Sequence, residues 1–208
     1  MNLLILGAGG HGQVVADLAE ESGQYQRIAF LDDASGKAGK DLPWQVLGPT
    51  SDLTKYRAEF AQVFVAMGDS KQRLHYLALA ESCGYVLATL VHPASFVSRK
   101  ALLGPGTVVC GGAIVQTNAR VGRGCIVNTS SSIDHDCVLG AGVHVCPGAH
   151  LAGSVVVGEH TWIGIGASVK HGLSIGRGVT VGAGASVVGD VKDGSTVVGV
   201  PARDQINL

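Results

Sequence analysis

Two rhythms of apolar residues divide the 208-residue chain. From Met1 to about Leu90, short apolar runs alternate with stretches of helical spacing. "NLLILGAGGHG" reads as a strand entering a glycine turn, and the next segment places Val14, Val15, Leu18 and Ala19 on one helical face before Gly23 stops it. "RIAFLDD" reads as a second strand. A Gly-, Lys- and Pro-containing loop follows over Ser35 to Pro43, then a helix around Ser51 to Phe60, a strand "QVFVAMG", a helix "KQRLHYLALAESCG" and a last strand "YVLATLV". Alternating β and α elements predict a parallel sheet flanked by helices.

At Val91 the period becomes six. Val91 and every sixth residue as far as Val187, seventeen positions in all, are Val, Leu or Ile. Four places further in the same frame, from Ser95 to Val191, most residues are small. A helix would repeat every 3.6 residues and an ordinary half-buried strand every two, so neither produces this register. A parallel β-helix does. One aliphatic side chain per short strand points into a narrow interior, a small residue fits the next corner, and coils stack at a strand spacing of roughly 4.8 Å. Glycines, Asn118 and Asn128 suit the turns. The expected architecture is therefore α/β plus β: a unit over residues 1–90 and a β-helix over 91–208.

Composition narrows the function classes. Fifteen Lys and Arg against sixteen Asp and Glu leave a formal charge of −1, with no basic field for nucleic acid or anionic lipid. The 31 glycines and 5% aromatic content fit a turn-rich repeat with a small aliphatic core. Five cysteines without a C-x-x-C pair signal neither a disulfide framework nor a zinc knuckle. With no basic leader and no long apolar span, a cytoplasmic protein without membrane insertion is expected.

The hexapeptide run, the closing "DGSTVVGVPAR", the "GAGGHG" turn and the "IDHDC" segment together resemble the hexapeptide-repeat acyltransferases. Within them, the chain is similar over essentially its whole length to bacterial sugar acetyltransferases with a small nucleotide-sugar-binding amino-terminal domain. That resemblance implies three hexads per coil and a left-handed β-helix, although general crossover rules favour the opposite hand. It also implies an acetyl-CoA-dependent enzyme and a homotrimer with sites between neighbouring β-helices. Gly9 stands where many relatives have serine, and Asp136 where some have glutamate.

The candidate residues fall in two groups. Gly7, Gly9 and Gly12 satisfy G-x-G-x-x-G between a strand and a helix, with Asp32 and Asp33 ending the next strand. Alone this pattern points to NAD. Only about 90 residues precede the repeat, which leaves room for a half-Rossmann unit holding a mononucleotide. Gly9, Gly10 and His11 are accordingly assigned to a diphosphate at the helix N-terminus, and Asp32 or Asp33 to the base or ribose.

In the repeat, His135 lies third in its hexad, off the apolar positions and between Asp134 and Asp136. An amine attacking a thioester must lose a proton, and imidazole is suited to take it. The resemblance gives Asp136 the orienting role, His144 a contact to the thioester region, and Asn128 a polar substrate-side position. Gly153 is a candidate to donate its N–H to the thioester oxygen, and Ile165, Ala183 and Pro201 are carried over as coenzyme A contacts. His150, His160 and His171 raise a zinc reading of the carbonic anhydrase type, but their spacing fits it poorly and no metal is expected.

The function read from the chain is transfer of acetyl from acetyl-CoA to the amine of a nucleotide-linked amino sugar, most simply a UDP-4-amino-4,6-dideoxy sugar. Alternatives are O-acetylation of sialic acid or another hydroxyl, a metal-dependent hydratase, and a noncatalytic nucleotide-sugar-binding protein.

Overall fold

The computed structural model describes residues 1–34 and 42–205. The chain divides into two compact units, Met1–Pro93 and Ala94–Leu208.

The first unit is built on β1 (Asn2–Leu6), α1 (Gly10–Glu21), β2 (Arg27–Leu31), β3 (Gln45–Gly48), β4 (Gln62–Val65), α2 (Ser70–Ser82) and β5 (Val86–Leu87). The sheet order is β3-β2-β1-β4-β5, and every pair is parallel. Leu3, Leu4, Ile5 and Leu6 are fully buried, as expected of a central strand covered on both faces. Val15, Ala16, Leu18 and Ala19 carry the buried face of α1, while Val14 is exposed.

Two local expectations differ from what forms. The helix expected around Ser51 to Phe60 is a seven-residue 3-10 helix, Thr50–Tyr56, whose only buried residues are Thr50 and Leu53. So narrow an apolar face gives a longer α-helix little tertiary support. Just before it, β3 is an edge strand that the apolar pattern did not signal, because none of its four residues is fully buried. The last expected strand is split into Val86–Leu87 and Leu90–Val91. The loop read over Ser35 to Pro43 lies, except for its last two residues, outside the described residues.

The second unit is a left-handed parallel β-helix. Its two-residue strands pair with those one coil away, Ile114 with Ser132 and Ser132 with His150, a step of 18 residues or three hexads. The aliphatic frame position is the second residue of every such strand, and from Val109 to Val187 it is always buried. Each such side chain contributes about 1.5–3 kcal/mol of burial. The stack ends with Thr196–Val198 beside Thr180–Val181, followed by an antiparallel Arg203–Asp204. Asn118 takes the left-handed turn conformation expected of it (φ +62°), as do Asp136 and Ser154 one and two coils on (both φ +60°). Asn128 does not take it; its side chain serves another purpose, described below.

Candidate functional site

Strand Ser132–Ile133 delivers the chain into the turn Asp134-His135-Asp136. The His135 backbone N–H donates to Asp134 Oδ1 (2.8 Å), which folds the turn onto itself. The His135 Nδ1 and Asp136 Oδ2 atoms are 2.8 Å apart. An ionised carboxylate only accepts, so Nδ1 carries the proton and Nε2 keeps its lone pair. Asn118, one coil below, donates through Nδ2 to the other Asp136 oxygen at 3.1 Å.

One coil above, Gly153 lies against the ring: a side chain there would put its first carbon 2.4 Å from His135 Nε2. Gly153 accepts from Gly172 N–H through its carbonyl, and its own N–H has no partner among the described residues. The hydrogen bond to Asp136 raises the His135 pKa above its ordinary value, and Asp134 adds to it. His135 and then Asn118 hold the Asp136 carboxyl below the usual range. Both side chains are about half exposed, so water screens the pair and its role is orientation rather than stability. The arrangement presents a correctly tautomerised base beside an unpaired amide.

A second constellation lies at the corner that follows strands Ile126–Val127, His144–Val145 and Trp162–Ile163. A groove of about 430 Å³ is lined there by Asn128, His144, Trp162, Ile165 and Ala183, among others. His144 is only 8% exposed. The Thr129 N–H donates to Asn128 Oδ1 (2.8 Å), which turns the amide nitrogen toward His144 Nε2 at 3.1 Å. That nitrogen only donates, so Nε2 accepts and a neutral His144 holds its proton on Nδ1. The indole of Trp162 meets the imidazole edge-on, centroids 4.3 Å apart. Cys146 shares the groove, and burial pushes its thiol up to about 12, far from a reactive thiolate. An open, mostly apolar channel with a few fixed polar groups suits a flexible chain bearing an amide or thioester.

The residues expected to meet acetyl-CoA are thus divided. His144, Ile165 and Ala183 share the groove, joined by Asn128, a residue expected on the sugar side. Gly153 stands instead at the His135 corner. Pro201 lies in the closing turn after Val198, outside both groups. Asn118 and Trp162 were missed, although each stands 18 residues from Asp136 or His144 and an 18-residue coil stacks them.

In the first unit, the glycine turn joins β1 to α1. Gly12 is a packing glycine: a side-chain carbon there would fall 2.0 Å from the Gly7 carbonyl oxygen. Gly9 is the N-cap of α1 with no side-chain cap, and the space beside Gly9 and Gly10 is open to 4 Å. The first-turn amides of α1 therefore remain available to an anion.

The turn sits where the sheet order reverses between β1 and β4, the usual ligand crevice of an open parallel sheet. Asp32 accepts from Ala8 N–H (2.6 Å) and Ala34 N–H (2.7 Å), and Asp33 accepts from the Thr50 N–H and hydroxyl (both 2.8 Å). Both carboxylates expected to meet a base or ribose therefore brace the crevice from within. His11 Nε2 is buried and has no partner among the described residues. Burial, then the nearby Arg73, lowers the His11 pKa from 6.5 to about 4. Arg73, another residue the pattern did not single out, is fully buried and donates to the Met67 (2.6 Å) and Gly68 (2.8 Å) carbonyls at the other side of the crevice.

Among the described residues there is no group of three His, Cys, Asp or Glu placed to hold a metal, and no helix long and apolar enough to cross a membrane.

Comparison with known proteins gives two family matches: the PglD N-terminal domain over residues 2–78 and the bacterial transferase hexapeptide (six repeats) over residues 154–189. A curated relative, the UDP-N-acetylbacillosamine N-acetyltransferase of Bacillus subtilis (strain 168), is 38% identical over 115 residues, which is 52% of this chain and 50% of the relative. The chain thus spans about half the length of that protein. The acetyltransferase domain of PglB from Neisseria gonorrhoeae FA1090, in complex with acetyl coenzyme A, superimposes with a TM-score of 0.94 at 43% identity, over 98% of each chain. PerB from Caulobacter crescentus, in complex with CoA and GDP-perosamine, gives a TM-score of 0.93 at 35% identity, over 99% of this chain and 97% of that one. With its PglD-type amino-terminal unit and left-handed hexapeptide β-helix, the chain belongs to the hexapeptide-repeat sugar N-acetyltransferase family.

Proposed function

We propose that this chain transfers acetyl from acetyl-CoA to the amino group of a nucleotide-linked amino sugar, with a UDP-4-amino-4,6-dideoxy sugar as the first acceptor to test. The observation that carries the reading is the His135 turn, where Asp136 fixes Nδ1–H and Nε2 faces the Gly153 corner. The sugar nitrogen attacks the thioester carbonyl carbon and forms the C–N bond. The Gly153 N–H receives the developing oxyanion, and His135 Nε2 takes the proton released by the amine. Collapse breaks the C–S bond, and the proton passes to the departing thiolate, giving the amide and free CoA.

His144, Ile165 and Ala183 line the path of the pantetheine arm, and Asn128 acts there by holding His144. Pro201 is assigned to the far end of coenzyme A. In the first unit, Gly9, Gly10 and His11 receive the diphosphate, while Asp32 and Asp33 hold the crevice and reach the nucleoside with their remaining lone pairs. The likeness to the PglB domain in complex with acetyl-CoA and to PerB in complex with CoA and GDP-perosamine supports these two classes of ligand.

The His135 turn follows one face of the coil and the groove follows another, so adjacent copies could combine the two, and the homotrimer that the family resemblance implies would supply three such sites. Free buried thiols and a co-substrate made in the cytoplasm support a cytoplasmic enzyme. The deciding experiment measures CoA thiol release against UDP-, GDP- and dTDP-linked amino sugars and against sialic acid. Release with an amino sugar alone is expected. Release with sialic acid alone would move the assignment to O-acetylation, and the absence of release with every acceptor would overturn acetyl transfer.

A further inference from the structure

We infer that Asn118 is a positioning residue for proton transfer, tethering the Asp136 carboxylate so that it holds the His135 imidazole in one orientation. This rests on the reading of His135 as the base. An exposed aspartate on a turn ordinarily samples several rotamers, and a hydrogen bond between half-exposed groups is made only part of the time. Asp136 is held from two sides. Its Oδ2 takes His135 Nδ1 from its own turn and its Oδ1 takes Asn118 Nδ2 from the coil below, at 2.8 and 3.1 Å.

The backbone is set for that contact. Asn118 and Asp136 occupy the same corner in successive coils, both in the left-handed region. Asparagine tolerates that region better than most residues, and among them it supplies a side-chain N–H at that reach. The other charged groups around the turn are Asp134, whose Oδ1 is taken by the His135 N–H, and Lys100 and Arg120, which line a groove of about 320 Å³ with Asn118 and Asp136. No ion pair from either cation to Asp136 is among the bonds of the described residues. The neutral Asn118 amide is therefore the group that fixes the second carboxylate oxygen.

The tether also has an electrostatic sign. Asn118 is the second cause, after His135, of the lowered Asp136 pKa, as expected of an amide N–H donated to the ionised carboxylate. Replacing it acts in two opposed ways. Losing the amide makes the carboxylate a slightly better acceptor, which would raise the His135 pKa, whereas losing the orientation leaves the imidazole unpaired part of the time, which lowers it. A tether requires the second effect to win.

Asn118→Gly is the variant to make, because glycine adopts the same backbone without strain and removes only the amide. In the full-length protein, the His135 ring is titrated by NMR and the pH dependence of kcat/KM is measured with a nucleotide-linked amino sugar. The expected result is a fall in the His135 pKa, a matching shift of the acid limb to lower pH, a several-fold loss of kcat, and an unchanged KM for acetyl-CoA. A His135 titration that stays in place or moves upward overturns the tether. Full activity in His135→Ala would sink the assignment of the base, a failure separate from that of the tether because the NMR titration does not depend on turnover.

Discussion

His135 and His144 belong to one coil of the β-helix, the first in a turn and the second opening the strand His144–Val145, and their surroundings differ in nearly every respect. The first has a half-exposed side chain, is paired with a carboxylate and is backed by a glycine that leaves its ring room. The second is buried, held by an amide and braced by an indole. The backbone that carries them is the same two-residue strand and turn. The repeat supplies position, while the neighbours one coil away leave one histidine free to exchange a proton and fix the other as part of a wall.

The largest expected effect at either corner, short of removing a histidine, is that of Gly153→Ala. Its methyl cannot coexist with His135 Nε2 at 2.4 Å, so the ring must swing away and Asp136 loses its partner. A fall in kcat of about 10–100-fold is expected, since a misplaced base loses much of its general-base contribution. Acetyl-CoA binding measured by calorimetry should change little, and an unchanged kcat would show that the ring does not act where it lies.

His144→Ala should break the comparison from the other side. It empties a buried position in the groove and leaves the Asn128 amide without its acceptor, so KM for acetyl-CoA should rise about tenfold with a smaller change in kcat. A fall in kcat alone would place His144 in the chemistry instead. The pH profile sharpens the same contrast. Because Asp136 raises the His135 pKa and the base works when neutral, the acid limb of kcat/KM should lie above the ordinary histidine value near 6.5. In Asp136→Asn that limb should move down, and an unmoved limb would mean that another group sets it.

A smaller effect is expected in the first unit, in stability rather than rate. His11 has a folded-state pKa of about 4 against an ordinary 6.5, because burial disfavours the cation. A depressed pKa means that the stabilisation is complete above about 6.5 and is lost as pH falls toward 4, on the order of a few kcal/mol over that window. The unfolding midpoint of the wild-type protein should therefore fall more steeply over that window than that of His11→Gln. Equal slopes would contradict the burial argument.

How much of this was legible in the sequence follows from what each residue depends on. The β-helix frame was fully written in the chain, because every hexad must fill the same interior and Val91 to Val187 repeats that demand without a break. The first unit was legible where apolar runs are buried, as in Leu3 to Leu6, and not at edge strand β3, whose residues remain partly open. The His135 turn was readable from its chemistry, since a histidine between two aspartates in a polar turn has little packing to do. Asn118 and Trp162 depend on contacts across coils, visible only once 18 residues are known to make one turn of the prism. The internal engagement of Asp32 and Asp33 could not be read at all, because most of their donors are backbone N–H groups, of Ala8, Ala34 and Thr50, which residue identity does not mark.

On the proposed reading, proton transfer and acetyl-CoA binding are divided between two faces of the β-helix that meet in neighbouring copies, and mixed assembly puts that division to the test. His135→Ala and His144→Ala chains, each inactive or weak alone at acetyl-CoA below its KM, are unfolded together, refolded at equal ratio and assayed for thiol release. If each site takes His135 from one copy and His144 from the next, random assembly leaves about a quarter of the sites intact, and activity should return to about a quarter of the wild-type value. No recovery above the sum of the two variants would contradict the account and place both histidines' work within a single chain.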